Sequence, residues 1–182
     1  MTNFTLTKTE IPDVILLDSN KYDDARGYFM ELHKSSDLRF MPNIVQTNYS
    51  YSKKGVFRGL HFQLEPKAQG KLVNVIRGRV VDVAVDLRRD SSWFGRHIAY
   101  EIYPGRSIWV PPGFAHGFQA LEESYVVYFI TNSEYSPAHE GGIAWNDPEL
   151  GIRLPMIEPL LSEKDKKWPK LKEAKINFSV VK

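Results

Sequence analysis

From position 44 onward the chain alternates apolar and polar residues in short runs cut by glycine and proline. The clearest run is 80–88, where Val81, Val83, Val85 and Leu87 fall on one side and Asp82, Ala84 and Asp86 on the other. That is the pattern of a strand whose two faces meet different surroundings. Similar runs at 44–52, 56–63, 71–77, 98–103, 107–110, 117–121 and 125–131 predict further strands, with turns at 53–55 and Gly78. Short strands so spaced predict an all-β sandwich or barrel. Upstream, apolar pieces at 4–7 and 14–17, split by Pro12, suit edge strands. Asp23, Asp24 and Gly27 mark a turn before a strand at 28–32, and 35–40 suits one helical turn capped by Ser35 or Ser36. Beyond Ser133 the turn residues predict a long ordered loop with brief strands. LSEKDKKWPKLKEA then predicts a short C-terminal helix, with Ser162 as N-cap and Asp165 in the first turn.

Composition narrows the field. A chain of 182 residues suits a single domain with a substantial core. The net charge of +2 comes without a dense basic run, which argues against nucleic acid as a partner and suits a local cation cluster facing a phosphorylated small molecule. There is no cysteine, so neither a disulfide nor a thiolate nucleophile is available. No apolar run approaches the roughly 18 residues of a membrane span. The first residues lack a basic segment followed by an apolar one, so a cytoplasmic protein is expected.

Two stretches concentrate the chemistry. GVFRGLHFQLEPKAQGK (55–71) carries Arg58, His61, Gln63 and Lys71, and GRSIWVPPGFAH (105–116) ends on His116. They are expected to form opposite walls of one pocket. Their glycine, proline and histidine spacings resemble the two motifs of the cupin barrels. Metal-binding cupins carry a second histidine where this chain has Gln63, a glutamate where it has Lys71, and often an asparagine where it has Ala120. An ammonium in a coordination shell repels a divalent ion and offers no lone pair. A pocket without metal is therefore expected.

The likeness tightens over several blocks in order: RGYFMEL, QTNYS, GVFRGLHFQ, AQGKLVNVIRGRVVDVAVDLR, WVPPGFAHGFQAL, YSPAHEGGIAWNDPELGI and LSEKD. From about residue 12 to 167 the sequence resembles the dTDP-4-dehydrorhamnose 3,5-epimerases. The resemblance implies a cupin double-stranded β-helix (a jelly roll), here with short C-terminal helices, and a homodimer with exchanged N-terminal strands. It implies inversion at C3 and C5 beside a C4 ketone, with no cofactor. Such a reaction needs a base, an acid on the opposite face, and a cation where enolate charge develops. By motif match these are His61 paired with Asp165, Tyr128, and Lys71. Arg26, Glu31, Gln46, Thr47, Asn48, Arg58, His116, Glu140 and Lys164, again with Lys71, would line the substrate. Asp82 would steady Lys71 or His61.

Three points stand open on the residues alone. Arg58 and His61, three apart, fall on opposite faces of a regular strand, so both reach one pocket only if Gly59 supports a bulge. Phe129 stands where many family members have lysine, which bears on fine specificity. A single-centre epimerase, a ketoisomerase, a non-catalytic sugar-binding cupin and a metal-dependent oxygenase are rival readings. His33, His97 and His139 have no comparable context and read as surface or loop residues.

Overall fold

The computed structural model describes residues 2–180. Its strands are β1 (Phe4–Lys8), β2 (Ile15–Ser19), β3 (Lys21–Asp24), β4 (Gly27–Met30), β5 (Ile44–Ser52), β6 (Phe57–Gln63) and β7 (Gly70–Arg77). They continue with β8 (Val80–Asp86), β9 (His97–Ile102), β10 (Arg106–Val110), β11 (Phe114–Ala120), β12 (Ser124–Thr131) and β13 (Glu140–Gly142). A six-stranded sheet, β1-β2-β10-β7-β12-β5, faces a five-stranded one, β13-β6-β11-β8-β9, and β3 with β4 forms a separate hairpin. The pairings are antiparallel, and the expected jelly-roll barrel is what the chain builds.

Three apolar clusters place the cavity. Between the sheets, Val73, Val75, Val80, Ala84, Ile98, Ile102, Ile108, Phe114, Phe118 and Val126 fill the half of the barrel nearest β2, β10, β8 and β9. Outside the five-stranded sheet, Val83, Val85 and Leu87 pack under the C-terminal segment through Leu154, Ile176 and Phe178. Outside the six-stranded sheet, Leu72 and Trp109 are covered by Leu38 and Met41. The alternation along β8 thus separates an outer apolar layer from the barrel interior, where Asp82 is fully buried. The other half of the interior, between β5, β12 and β7 on one side and β6 and β11 on the other, stays open.

Several local expectations change. Of the two strands expected at an edge, β2 is bonded on both sides, by β1 and β10, and β1 alone lies at the edge. Residues 35–40 form successive turns rather than a helix, with the Asp37 and Leu38 amides both donating to the Lys34 carbonyl. The C-terminal helix is a single 3-10 turn, Asp165–Lys167. The residue at its N-cap is Lys164, not Ser162, whose Oγ nonetheless accepts from the Asp165 amide at 3.1 Å, and Pro169, two residues past its end, removes the donor a longer helix needs. Among the described residues no helix is long and apolar enough to cross a membrane.

The bulge in β6 is present. His116 faces His61 and Phe118 faces Arg58, so two steps along β11 match three along β6. Gly59 sits in this step at φ +138°, and a Cβ there would lie 2.6 Å from the Gly117 Cα. The extra residue turns Arg58 and His61 to the same side. Gly59→Ala should cost about 2 kcal/mol or more of stability, read by chemical denaturation, because both the backbone conformation and the space require glycine.

Candidate active site

The open half of the barrel holds a cavity of about 570 Å³. Its wall includes Arg58, His61 and Gln63 from β6, His116 from β11, Lys71 from β7, Tyr128 from β12, and Asn48 and Ser50 from β5. Asp165 and Lys164 reach it from the C-terminal segment. The two motif stretches are not opposite walls, since His61 and His116 are directly paired on adjacent strands. The facing wall is Tyr128 and Lys71 in the other sheet, so the first stretch alone spans both sides through the 64–69 loop.

Each histidine is held by one buried carboxylate. His61 Nε2 lies 2.6 Å from Asp165 Oδ1, which also accepts from the Trp168 indole at 3.1 Å. Burial pushes the Asp165 carboxyl upward, but the hydrogen bonds from His61, Trp168 and Ser162 outweigh it and hold the group below the ordinary range. His116 Nε2 lies 2.7 Å from Asp82 Oδ2. Asp82 therefore bonds His116, not His61, and acts on Lys71 only through its charge. Burial raises Asp82, against the opposing pull of His116 and Lys71, and its Oδ1 has no hydrogen-bond partner.

Lys71 is half-buried and lines the cavity. Burial pushes it down to about 8, despite the attraction of Asp82 and Glu140. Tyr128 shares a hydrogen bond of 3.0 Å with Ser50, and burial raises its phenol to about 12. It therefore stays protonated across the neutral range.

At the mouth, Glu140 joins Lys164, and Tyr135 donates to the other Glu140 oxygen at 2.8 Å. Burial opposes ionisation of Glu140, but the Lys164 and Tyr135 hydrogen bonds keep its carboxyl low. Tyr135 lines the cavity and was not singled out from the sequence, where a tyrosine in a loop of turn residues gives no periodic signal. Arg58 donates to Ser52 Oγ and to the Tyr51 carbonyl, which fixes its guanidinium at the rim.

Four expected binding residues lie elsewhere within the chain. Arg26 is paired with Asp24 on the exposed hairpin, and Glu31 accepts from Asn3. Gln46, on the same face of β5 as Asn48 but outside the lining, bonds Asn48 and the Tyr135 amide, and Thr47 is exposed on the opposite face.

The residues present do not fit a metal centre of the cupin kind. Gln63 is spent on the Lys67 and Glu134 carbonyls and the Ser136 amide. Both histidines commit Nε2 to a carboxylate, and Lys71 puts a cation among them. Among the described residues no three His, Cys, Asp or Glu side chains converge as ligands.

Comparison with known proteins places the chain in a family. A family model described as dTDP-4-dehydrorhamnose 3,5-epimerase matches residues 8–173. The chain belongs to that family. It is 44% identical over 164 residues to the enzyme of that name from Shigella flexneri, covering 87% of this chain and 91% of the other. The crystal structure of the dTDP-4-dehydrorhamnose 3,5-epimerase from Sulfolobus tokodaii superposes with a TM-score of 0.91 at 44% identity, covering 98% of this chain and 100% of that one. The dTDP-6-deoxy-D-glucose-3,5-epimerase from Legionella pneumophila, solved with dTDP-4-keto-L-rhamnose, superposes at 0.88 with 36% identity, over 93% of this chain and 94% of that one. The protein is thus an isomerase of the dTDP-rhamnose route. Phe129, the departure from the epimerase pattern noted above, points away from the cavity. It packs with Leu72 and Trp109, its ring 6.0 Å from His33, and does not touch the site.

Proposed function

We propose that the chain epimerises dTDP-4-dehydro-6-deoxy-D-glucose at C3 and C5 without a cofactor, using His61 as base, Tyr128 as acid and Lys71 as the cation at the C4 oxygen. The observation that carries this reading is the placement of His61 and Tyr128 on facing sheets, with Lys71 beside Tyr128. Inversion requires a proton to leave one face of the carbon and return to the other, so base and acid must flank the sugar. The C4 ketone acidifies both neighbouring positions, and the enolate oxygen gathers charge that an ammonium in a poorly hydrated cavity stabilises strongly. Asp165 orients His61 and offsets the imidazolium that proton abstraction creates. Asp82 holds His116 against the cavity wall as a substrate contact. Arg58 offers a planar fork to the diphosphate, and Asn48, Glu140 and Lys164 line other parts of the same cavity.

Arg26 and Glu31 fit this reading through a second copy. The β3–β4 hairpin stands away from its own barrel, with Tyr22, Tyr28 and Phe29 at 50%, 53% and 64% exposure. In a homodimer with exchanged N-terminal strands, that hairpin would reach the neighbouring cavity.

Turnover by metal-stripped protein tests the proposal. Chelated and dialysed enzyme should convert the 4-keto-6-deoxyglucose nucleotide to the L-configured ketone at the untreated rate. Activity that disappears on chelation and returns with a transition metal would contradict it. Tyr128→Phe should still wash solvent deuterium into the substrate while forming inverted product at least about tenfold more slowly. Equal loss of exchange and inversion would remove Tyr128 from the acid's role.

A further inference from the structure

Asp165 owes its position to a strap of irregular chain, residues 156–165, and one side chain that the proposed chemistry does not use fastens the far end of it. Gln119 lies on β11, on the sheet face turned away from the cavity, with no exposed surface. Its Nε2 donates to the Met156 carbonyl at 3.0 Å and its Oε1 accepts from the Met156 amide at 2.9 Å. The amide thus pairs both polar groups of one backbone residue, as a neighbouring strand would. Four residues on, the Leu160 amide donates to the Gly55 carbonyl at 2.9 Å, and the Leu160 carbonyl accepts from Phe57 at 3.0 Å. The strap then supplies Leu160, Leu161, Ser162 and Lys164 to the cavity wall and ends at the Asp165–His61 contact. Between the fastenings it is loosely covered, with Ile157 at 86% exposure and Leu160 at 57%. Apolar packing reaches it only toward its end, where Leu161 rests on the cluster outside the five-stranded sheet.

A fully buried amide satisfied by one backbone residue sets position and register, because any shift of the strap leaves both polar groups of the buried Gln119 side chain unpaired. Resting on the function proposed above, we infer that Gln119 is a positioning residue that holds the 156–165 strap, and through it Asp165, in register with His61.

The test combines exchange, spectroscopy and a mutant cycle. In unaltered protein the Met156 amide should resist hydrogen exchange like the amides of β11, while those of Ile157 and Glu158 exchange freely. A Met156 amide as fast as Ile157 would overturn the clamp whatever the variants do. Gln119→Leu should broaden or abolish the downfield proton signal of the His61–Asp165 hydrogen bond and lower kcat by about 10- to 100-fold. In an Asp165→Asn background the same change should lower kcat less than about twofold, since its route to the base is already cut. Equal effects in the two backgrounds would assign Gln119 a purely structural role and sink the inference. Gln119→Glu, which keeps the acceptor and loses the donor, should fall between. If unaltered enzyme were inert toward the sugar nucleotide, the proposed function would fail, and the exchange and proton-signal results would still decide the clamp.

Discussion

His61→Ala should lower kcat on the 4-keto-6-deoxyglucose nucleotide by about 10²–10⁴-fold, the range that a positioned general base contributes. The effect should fall on kcat more than on KM, because in the proposed pose the nucleotide half of the substrate would meet Arg58, Asn48 and the mouth residues rather than this imidazole. Solvent deuterium should no longer enter either carbon. Asp165→Asn should give a smaller loss in the same direction, since it leaves the base in place but removes the carboxylate that orients it. Circular dichroism and a melting curve would show that the barrel survives. His61 sits at the open end of β6 and contributes nothing to the clusters that close the other half. A His61→Ala enzyme turning over within about tenfold of the unaltered rate would remove His61 from the base's role.

Lys71→Met should cost about 10²–10³-fold in kcat, comparable to removing one preorganised oxyanion donor. The same residue predicts a pH profile. Its ammonium is charged below about 8 and neutral above, so kcat/KM should fall on the alkaline side with an apparent pKa near 8. Tyr128, raised to about 12, should leave that limb unaffected, and in Lys71→Met the limb should vanish. The stability consequence has the opposite sign. The folded value lies below the ordinary 10.5, so between about 8 and 10.5 the unfolded chain binds more protons and this lysine's contribution to stability rises with pH. A rate profile flat through pH 9 would show that the charge on Lys71 does not matter to the chemistry.

The strands were legible because their signals are local. The alternation in β8, the glycines after β7 and before β6, and the run of β12 follow from side-chain period and turn chemistry alone. What the sequence hid depends on contacts across the fold. Ile15–Ser19 looks like an edge strand, and only the arrival of β10 from 90 residues away makes it internal. The C-terminal charges suggest a helix, but Trp168 and Pro169 stop it after one turn. Asp82 is visibly on the inner face of β8, yet its partner follows from β8 and β11 lying side by side, which puts His116 within reach. The stretches at 55–71 and 105–116 seemed to oppose each other because each carries a histidine, whereas strand pairing sets the histidines side by side. Arg58 and His61 share a pocket through a single extra residue at Gly59, a possibility the glycine allowed but could not demand. Gln119 gave no signal at all, since a buried amide reads as one more strand residue until the segment it holds is seen.

The most direct test of the central claim is proton exchange by the unaltered enzyme. The 4-keto-6-deoxyglucose nucleotide is incubated in deuterated water and C3 and C5 are followed by NMR. The account predicts deuterium at both carbons, appearing with inversion and absent in His61→Ala. Label at C3 alone would make the enzyme a single-centre epimerase, and no label at either carbon from folded protein would contradict the mechanism outright.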